Sequence, residues 1–289
     1  MTAATVAAPP GPAADPPSTR ALPRRPDGRV LSAASTCGLG LATLVMSLLV
    51  LIPLAAVLTK ATSGGWSGFW AAVSSPGAAA ALRLTVVGSL LVTAVNAVMG
   101  TLVAWVLVRD DFFGKRALEV IIDLPFALPT IVASLVLLSL YGPHSPVGVN
   151  LAQARSGVFV ALLFITLPFV VRTVQPVLME LDSEVEEAAA SLGASRATIF
   201  RRLILPSLWP AISAGAALSF ARAISDYGTT ILISGNIPLK TQLASVQILG
   251  QLENDNDAGA AAVATVLLVV ALVVVVGLYQ FQRRMARGG

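Results

Sequence analysis

The sequence predicts an all-α, polytopic membrane fold with six transmembrane helices, and three observations carry that expectation. Apolar residues make up 56% of the 289 positions and charged residues only 12%, with a mean hydropathy of +0.82; an ordinary soluble domain carries roughly 25% charge. The apolar residues fall into runs of about 20, long enough to cross about 30 Å of hydrocarbon as a helix. Lipid offers a backbone N–H or C=O no partner outside its own segment, so each run must close its hydrogen bonds internally.

In chain order the runs extend from Gly38 to Thr59, Leu84 to Val108, Ala117 to Tyr141, Gly157 to Leu178, Ser207 to Ser234 and Ala258 to Phe281. Six crossings return the chain to its starting side. With the N-terminus inside, the cytoplasmic segments hold thirteen basic residues, in the groups Arg20 to Arg29, Arg109 to Arg116, Arg196 to Arg202 and Arg283 to Arg287. The opposite side holds three, Lys60, Arg155 and Lys240. Positive charge is retained inside, so both termini are expected in the cytoplasm. The net charge of +4 follows from this topology and is not read as nucleic-acid binding.

Residues 1–35, rich in Pro, Ala and Arg, cannot bury a core and are expected to be a disordered cytoplasmic tail. The transmembrane domain then spans 36–282, with a short cytoplasmic tail over 283–289. A secretory signal is the rival reading of the N-terminal tail and first run. That run exceeds the roughly 7 to 15 residues of a signal core, so an uncleaved anchor is expected. Cys37 excludes an internal disulfide and is expected to pack inertly at the start of its helix. Trp66, Phe69 and Trp70 read as an aromatic patch at headgroup level, and His144 as a surface residue in a Pro/Gly-rich turn. One histidine can build neither a metal centre nor a hydrolytic triad, so no enzyme is expected.

The cytoplasmic stretch from Ser183 to Pro206 reads as two short helices. Ser183 and Glu186 form an S-x-x-E capping box, and acidic residues in the first turn suit the helix dipole. Val185, Ala188, Ala189 and Leu192 recur as an apolar stripe, and Gly193 ends the helix. Ser195 caps the second helix, where Ile199, Phe200 and Leu203 cluster opposite Arg196, Arg201 and Arg202; Pro206 is expected to stop or redirect it. On residues alone this hairpin is either a surface connector or a docking element.

The run resembles the "EAA" signature of ABC-importer permeases, with Glu187, Ala188, Ala189, Gly193, Leu203, Leu205 and Pro206 at the matching positions; Leu203 stands where the family usually has Ile. The resemblance implies a MetI-like five-helix core preceded by one extra helix. It also implies that the hairpin couples to an ATPase subunit. No G-x-x-x-x-G-K-[ST] phosphate loop occurs here, so ATP and Mg are expected on that partner, with no cofactor in this chain. Residues 121–142 and 167–182 are further similar to the T-type permeases of sulfate/thiosulfate importers; Ser225, Asp226, Tyr227 and Gly228 replace the Gly-Glu-Phe-Gly of many relatives.

That family implies a multi-pass protein of the bacterial inner membrane. Its implied partners are a second permease, two ATPase subunits and an extracytoplasmic sulfate-binding protein. The alternatives are the same machine for molybdate or tungstate, or an ion-gradient-driven carrier. For a dianion, charge within the membrane matters, since an arginine at the bilayer centre costs about 2.5 to 3.5 kcal/mol. Arg172 and Arg222 are the candidates for the path, with Ser219 and Asp226. Arg222 is also placed to pair with Asp226 at i+4, and Arg172 to anchor or to bond carbonyls freed by Pro176. Small-residue stripes (Asn96, Gly100 and Ala104; Gly215, Ser219 and Ala223) allow close helix approach.

Overall fold

The structure, a computed structural model, describes residues 33–287, so the expected tail over 1–35 falls almost wholly outside the described residues. Residues through Ile52 form one unit and those from Pro53 a second. In the first, Ala33 onward is the leading part of helix α1 (Ala33–Ala61), with Leu39 to Ile52 offering mostly exposed apolar side chains. Cys37 is exposed there, not packed as expected.

Among the described residues every regular element is helical. After α1 come α2 (Gly65–Ser74), α3 (Pro76–Arg109), α4 (Lys115–Ala127), α5 (Thr130–Tyr141), α6 (Arg155–Glu180), α7 (Ser183–Ser191), α8 (Arg196–Ile199), α9 (Leu205–Ile224), α10 (Ile231–Ser234), α11 (Ala244–Glu253) and α12 (Asp257–Arg287). Among the described residues five stretches are long and apolar enough to cross a membrane: Thr36–Ala61, α3, α6, Arg196–Ile224 and Asp257–Gln280. The third apolar run is built instead as the pair α4 and α5. Pro129 has no N–H to continue the ladder, and the residue before a proline is driven out of the helical region. Leu128 accordingly has φ −83° and ψ 132°.

The fifth run ends at Ile224, ten residues earlier than expected. The Asp226 carboxylate takes the N–H of Thr230 at 3.1 Å, a local side-chain bond that competes with the helix ladder. Gly228 presses on the start of α5, where an added Cβ would lie 2.1 Å from Thr130 Oγ1. Pro206, expected to stop the hairpin's second helix, is instead passed without interruption. A π-helical turn over Phe200–Ile204 widens the helix just before the proline, whose ring would otherwise press on the preceding turn.

Three helices meet at the centre of the second unit. An added Cβ on Gly100 would lie 2.7 Å from Cβ of Val170; on Gly215 it would lie 2.8 Å from Val170 Cα and 2.2 Å from Thr173 Oγ1. The two predicted small-residue stripes, on α3 and α9, therefore clasp α6 from two sides, a close approach that only glycine permits. Nearby, Asn96 Nδ2 donates to Thr166 Oγ1 at 2.7 Å and to the Leu163 carbonyl at 3.3 Å, satisfying a polar group with no water available. Valine and leucine from α3, α6 and α9 fill the rest of this core.

The predicted aromatic patch lies on α2, a helix absent from the sequence reading, as is α11. Trp66 and Phe69 stack at 5.4 Å, and Trp70 meets both rings edge-on. Phe69 is buried against Ala61, Ala261 and Ala262, leaving both tryptophans exposed as interfacial rings. Lys60 pairs with Asp257 at 3.0 Å, and Arg155 Nε donates to the Lys240 carbonyl at 3.0 Å, while Arg109 meets Glu186 at the opposite end.

Candidate functional site

The hairpin 183–206 is ordered by caps at each turn. Asp182 opens α7 by accepting the Glu184 N–H at 2.9 Å; the Ser183 side chain of the expected capping box lies outside what the structure describes. Gly193 closes α7 at φ +85°; its N–H bonds the Ala190 carbonyl at 2.9 Å, and the Ala194 N–H reaches back to Ala189 at 3.1 Å. This is a Schellman closure, which needs the left-handed residue that glycine supplies at least cost. Ser195 then caps α8 as expected, accepting the Thr198 N–H at 3.3 Å.

The expected apolar stripe is not buried within this chain. Leu192 is 90% exposed, Val185 is 49% exposed, and Ala188 and Glu187 face outward as well. Only Ala189 turns inward, where it joins Ile199, Leu203, Ile204 and Leu205 against α3 and α6. The hairpin thus has a packed inner face and an outer face that exposes Glu184, Val185, Glu187, Ala188 and a projecting Leu192.

A tie that the sequence reading missed connects this hairpin to the membrane helices. Arg109, the last residue of α3, donates to Glu186 and lies 5.3 Å over the ring of Trp105. Trp105 in turn meets Phe200 of the π turn edge-on at 5.5 Å. Cation–π and aromatic edge contacts of this kind each contribute about 0.5–1.5 kcal/mol. Both halves of the hairpin are therefore held to the end of one spanning helix.

The path candidates separate into two places. Arg172 is engaged by α4, its Nε donating to Asp123 at 2.8 Å, a second nitrogen reaching the same carboxylate, and Nη1 bonding Gln175 at 2.8 Å. This bidentate pair, rather than carbonyls freed by Pro176, occupies the guanidinium. The acid in the apolar run at Asp123 was the available signal for it. Arg222 pairs with Asp226 at 3.3 Å, as the i+4 spacing expected. Asp226 is fully buried, and Ser219 lies on the same side of α9 with no hydrogen-bond partner for its buried hydroxyl. Arg172 lies about 12 Å from the hairpin end of α6, whereas Arg222 is in the last turn of α9, at the far end of the bundle. Among the described residues no group of acids, histidine and cysteine forms a metal site.

Comparison with known proteins agrees with this architecture. Residues 96–287 match the family described as "Binding-protein-dependent transport system inner membrane component". A protein from Synechocystis sp. named sulfate transport system permease protein CysT is 48% identical over 219 residues, covering 73% of this chain and 77% of its own length. The protein of the same name from Salmonella typhimurium is 40% identical over 259 residues, covering 87% and 94%. Among solved structures, a chain of a bacterial alginate ABC transporter, in complex with a periplasmic protein, aligns with a TM-score of 0.72 at 18% identity, over 86% of this chain and 94% of its own. That likeness concerns the fold. The matched stretch takes in the helices that clasp Val170, the hairpin and the last spanning helix, and the chain belongs to the family of binding-protein-dependent transport system inner membrane components.

Proposed function

We propose that this chain is the permease subunit of an ATP-driven importer that carries sulfate across the bacterial inner membrane, with both termini in the cytoplasm. The observation carrying this reading is the hairpin: a rigidly capped element with an unpartnered outer face, tied through Arg109 to a spanning helix, in a chain 40% identical to a named sulfate permease over 87% of its length. Glu187, Ala188, Leu192 and Gly193 form the face that docks in a groove of an ATPase subunit, and Ala189 packs beneath it against this chain's own core. Leu203, Leu205 and Pro206 pass that subunit's movement into α9. ATP and Mg sit on the partner ATPase, two copies of which serve this chain and a second, homologous permease.

An extracytoplasmic binding protein delivers the anion to an outward-facing cavity, and closure of the motor reopens the path inward. Arg222, held by buried Asp226 beside Ser219, lies toward the outer part of this path; Arg172, held by Asp123, lies toward the inner part. Each guanidinium is anchored by one carboxylate, so moving a helix can trade that partner for a passing dianion without leaving an unpaired charge in the membrane. The test is uptake of labelled sulfate in a deletion strain with and without this chain, with molybdate as competitor. Uptake that survives poisoning of ATP hydrolysis while the ion gradient stands would instead indicate an ion-driven carrier. Loss to molybdate at low molar ratio would move the substrate assignment to that oxyanion.

A further inference from the structure

A cavity of about 720 Å³ lies away from both arginine pairs, between the N-terminal halves of α3 and α6, with Leu239 also lining it. Its walls are apolar, from Leu84, Val87, Leu91 and Phe159 among others, except for Arg83 and Arg155. No acid lines it. Arg83 has neither a hydrogen bond nor an ion pair among the described residues, and Arg155 uses only its Nε, toward the Lys240 carbonyl.

The two arginines stand within about one helical turn of each other along the bundle. The helices α3 and α6 run in the same direction and are pinned to each other where Asn96 bonds Thr166 and the Leu163 carbonyl. Counting back along each helix from that point, Arg83 is about 20 Å away and Arg155 about 12 to 17 Å, a difference of about one turn. Both arginines therefore line the same mostly apolar cavity, with their side chains exposed at its edge. An unpaired arginine beside hydrocarbon is costly and needs a counter-charge. Guanidinium forks match the oxygens of a tetrahedral oxyanion in particular.

We infer that Arg83 and Arg155 form a binding site for a tetrahedral oxyanion at the outer end of the chain, separate from Arg172 and Arg222. Two sources share that chemistry: the transported ion arriving from outside, and the phosphate of a lipid headgroup. The transported-ion form rests on the sulfate reading above; the site itself does not.

The test uses the complete importer complex in nanodiscs of phosphatidylcholine alone, without binding protein. Equilibrium binding of labelled sulfate and labelled molybdate is measured, and anionic phospholipid co-purified from the cell membrane is counted by mass spectrometry. Arg83→Gln breaks no bond within the chain and guards against a folding artefact; Arg83→Gln with Arg155→Gln removes the site, and Arg83→Lys retains charge without the fork. For a transported-ion site, Arg83→Gln weakens free-oxyanion binding at least tenfold, the double change abolishes it, and Arg83→Lys falls between. For a lipid site, free-ion binding is unchanged while the double variant loses its anionic phospholipid. Wild-type binding of molybdate without sulfate would overturn the sulfate assignment and leave the site standing. Unchanged oxyanion binding together with unchanged lipid in the double variant overturns the site.

Discussion

Arg109, at the end of α3, and Glu186, in the first turn of α7, form an ion pair that joins a spanning helix to the hairpin, with about a quarter of each side chain exposed. Asp182 caps α7, and Glu186 faces the arginine. The arginine is held again by Trp105, and Trp105 by Phe200, so displacement of either hairpin helix pulls on the same turn of α3.

Reversing one member of this pair should therefore uncouple without detaching. Arg109→Glu is expected to lower sulfate uptake at least tenfold while the ATPase still co-purifies. The exchange Arg109→Glu with Glu186→Arg should recover a substantial share of uptake. Contacting charges typically couple by 0.5–3 kcal/mol in a double-mutant cycle. Equal uptake in the single and exchanged variants would show that the pair is incidental.

The fold was legible where composition alone decides it. Lipid leaves a chain little choice but helices, so spans such as Arg155–Glu180 fell close to their predicted ends despite two internal prolines. The break at Leu128 has a local cause in Pro129, whereas the one at Ile224 is reinforced by Gly228 packing on Thr130, a contact between segments that no local pattern displays. The site divides in the same way. Gly193, Ser195 and the Arg222 pair are local arrangements and were read from spacing, whereas Asp123 with Arg172 and Arg109 with Glu186 each join residues from different helices.

The clasp on Val170 gives two substitutions with different remedies. Gly100→Ala meets the Val170 Cβ and Cγ1 and the following amide, so it should destabilise the solubilised protein by about 1–3 kcal/mol and be partly relieved by Val170→Ala, which removes the Cγ1 contact and keeps the Cβ. Gly215→Ala meets the Val170 Cα as well as Thr173 Oγ1, and backbone cannot be trimmed. It should be at least as costly and resist the same rescue. Thermal unfolding in detergent compares the four variants; rescue of both would place the clash in side chains alone.

Charge balance should govern the arginine pairs. Arg222→Ala removes the ion-pair partner of Asp226, which is fully buried and whose Oδ1 already lacks a hydrogen bond among the described residues, and an uncompensated buried charge typically costs about 3–5 kcal/mol. The single change is expected to reduce both assembly and uptake. Adding Asp226→Asn removes the stranded charge and should restore assembly but not sulfate uptake, because the guanidinium is still absent. Normal uptake in the assembled double variant would reduce the pair to a structural tie. The Arg172 and Asp123 pair is more exposed, at 34% and 45%, so screening makes its removal milder.

The hairpin's outer face offers the firmest prediction, because its substitutions have little to disturb within this chain. At Gly193 a new Cβ would meet nothing within 4 Å, so the only local penalty is the φ of +85°, worth about 1 kcal/mol for an L-residue. Glu187→Lys and Leu192→Asp likewise alter exposed side chains that the chain's own core does not use. Gly193→Asp, Glu187→Lys and Leu192→Asp should each insert into the membrane at normal levels and unfold within about 1 kcal/mol of the parent. If the face docks in a matched groove, a forced like-charge contact or a buried acid there costs several kcal/mol, and ATPase co-purification should fall at least tenfold together with uptake. The subunit's own unfolding isolates the local cost, so loss of the partner beyond it measures the interface. Full co-purification and uptake in all three variants would make the hairpin a connector, leaving the exposed Leu192 without a role.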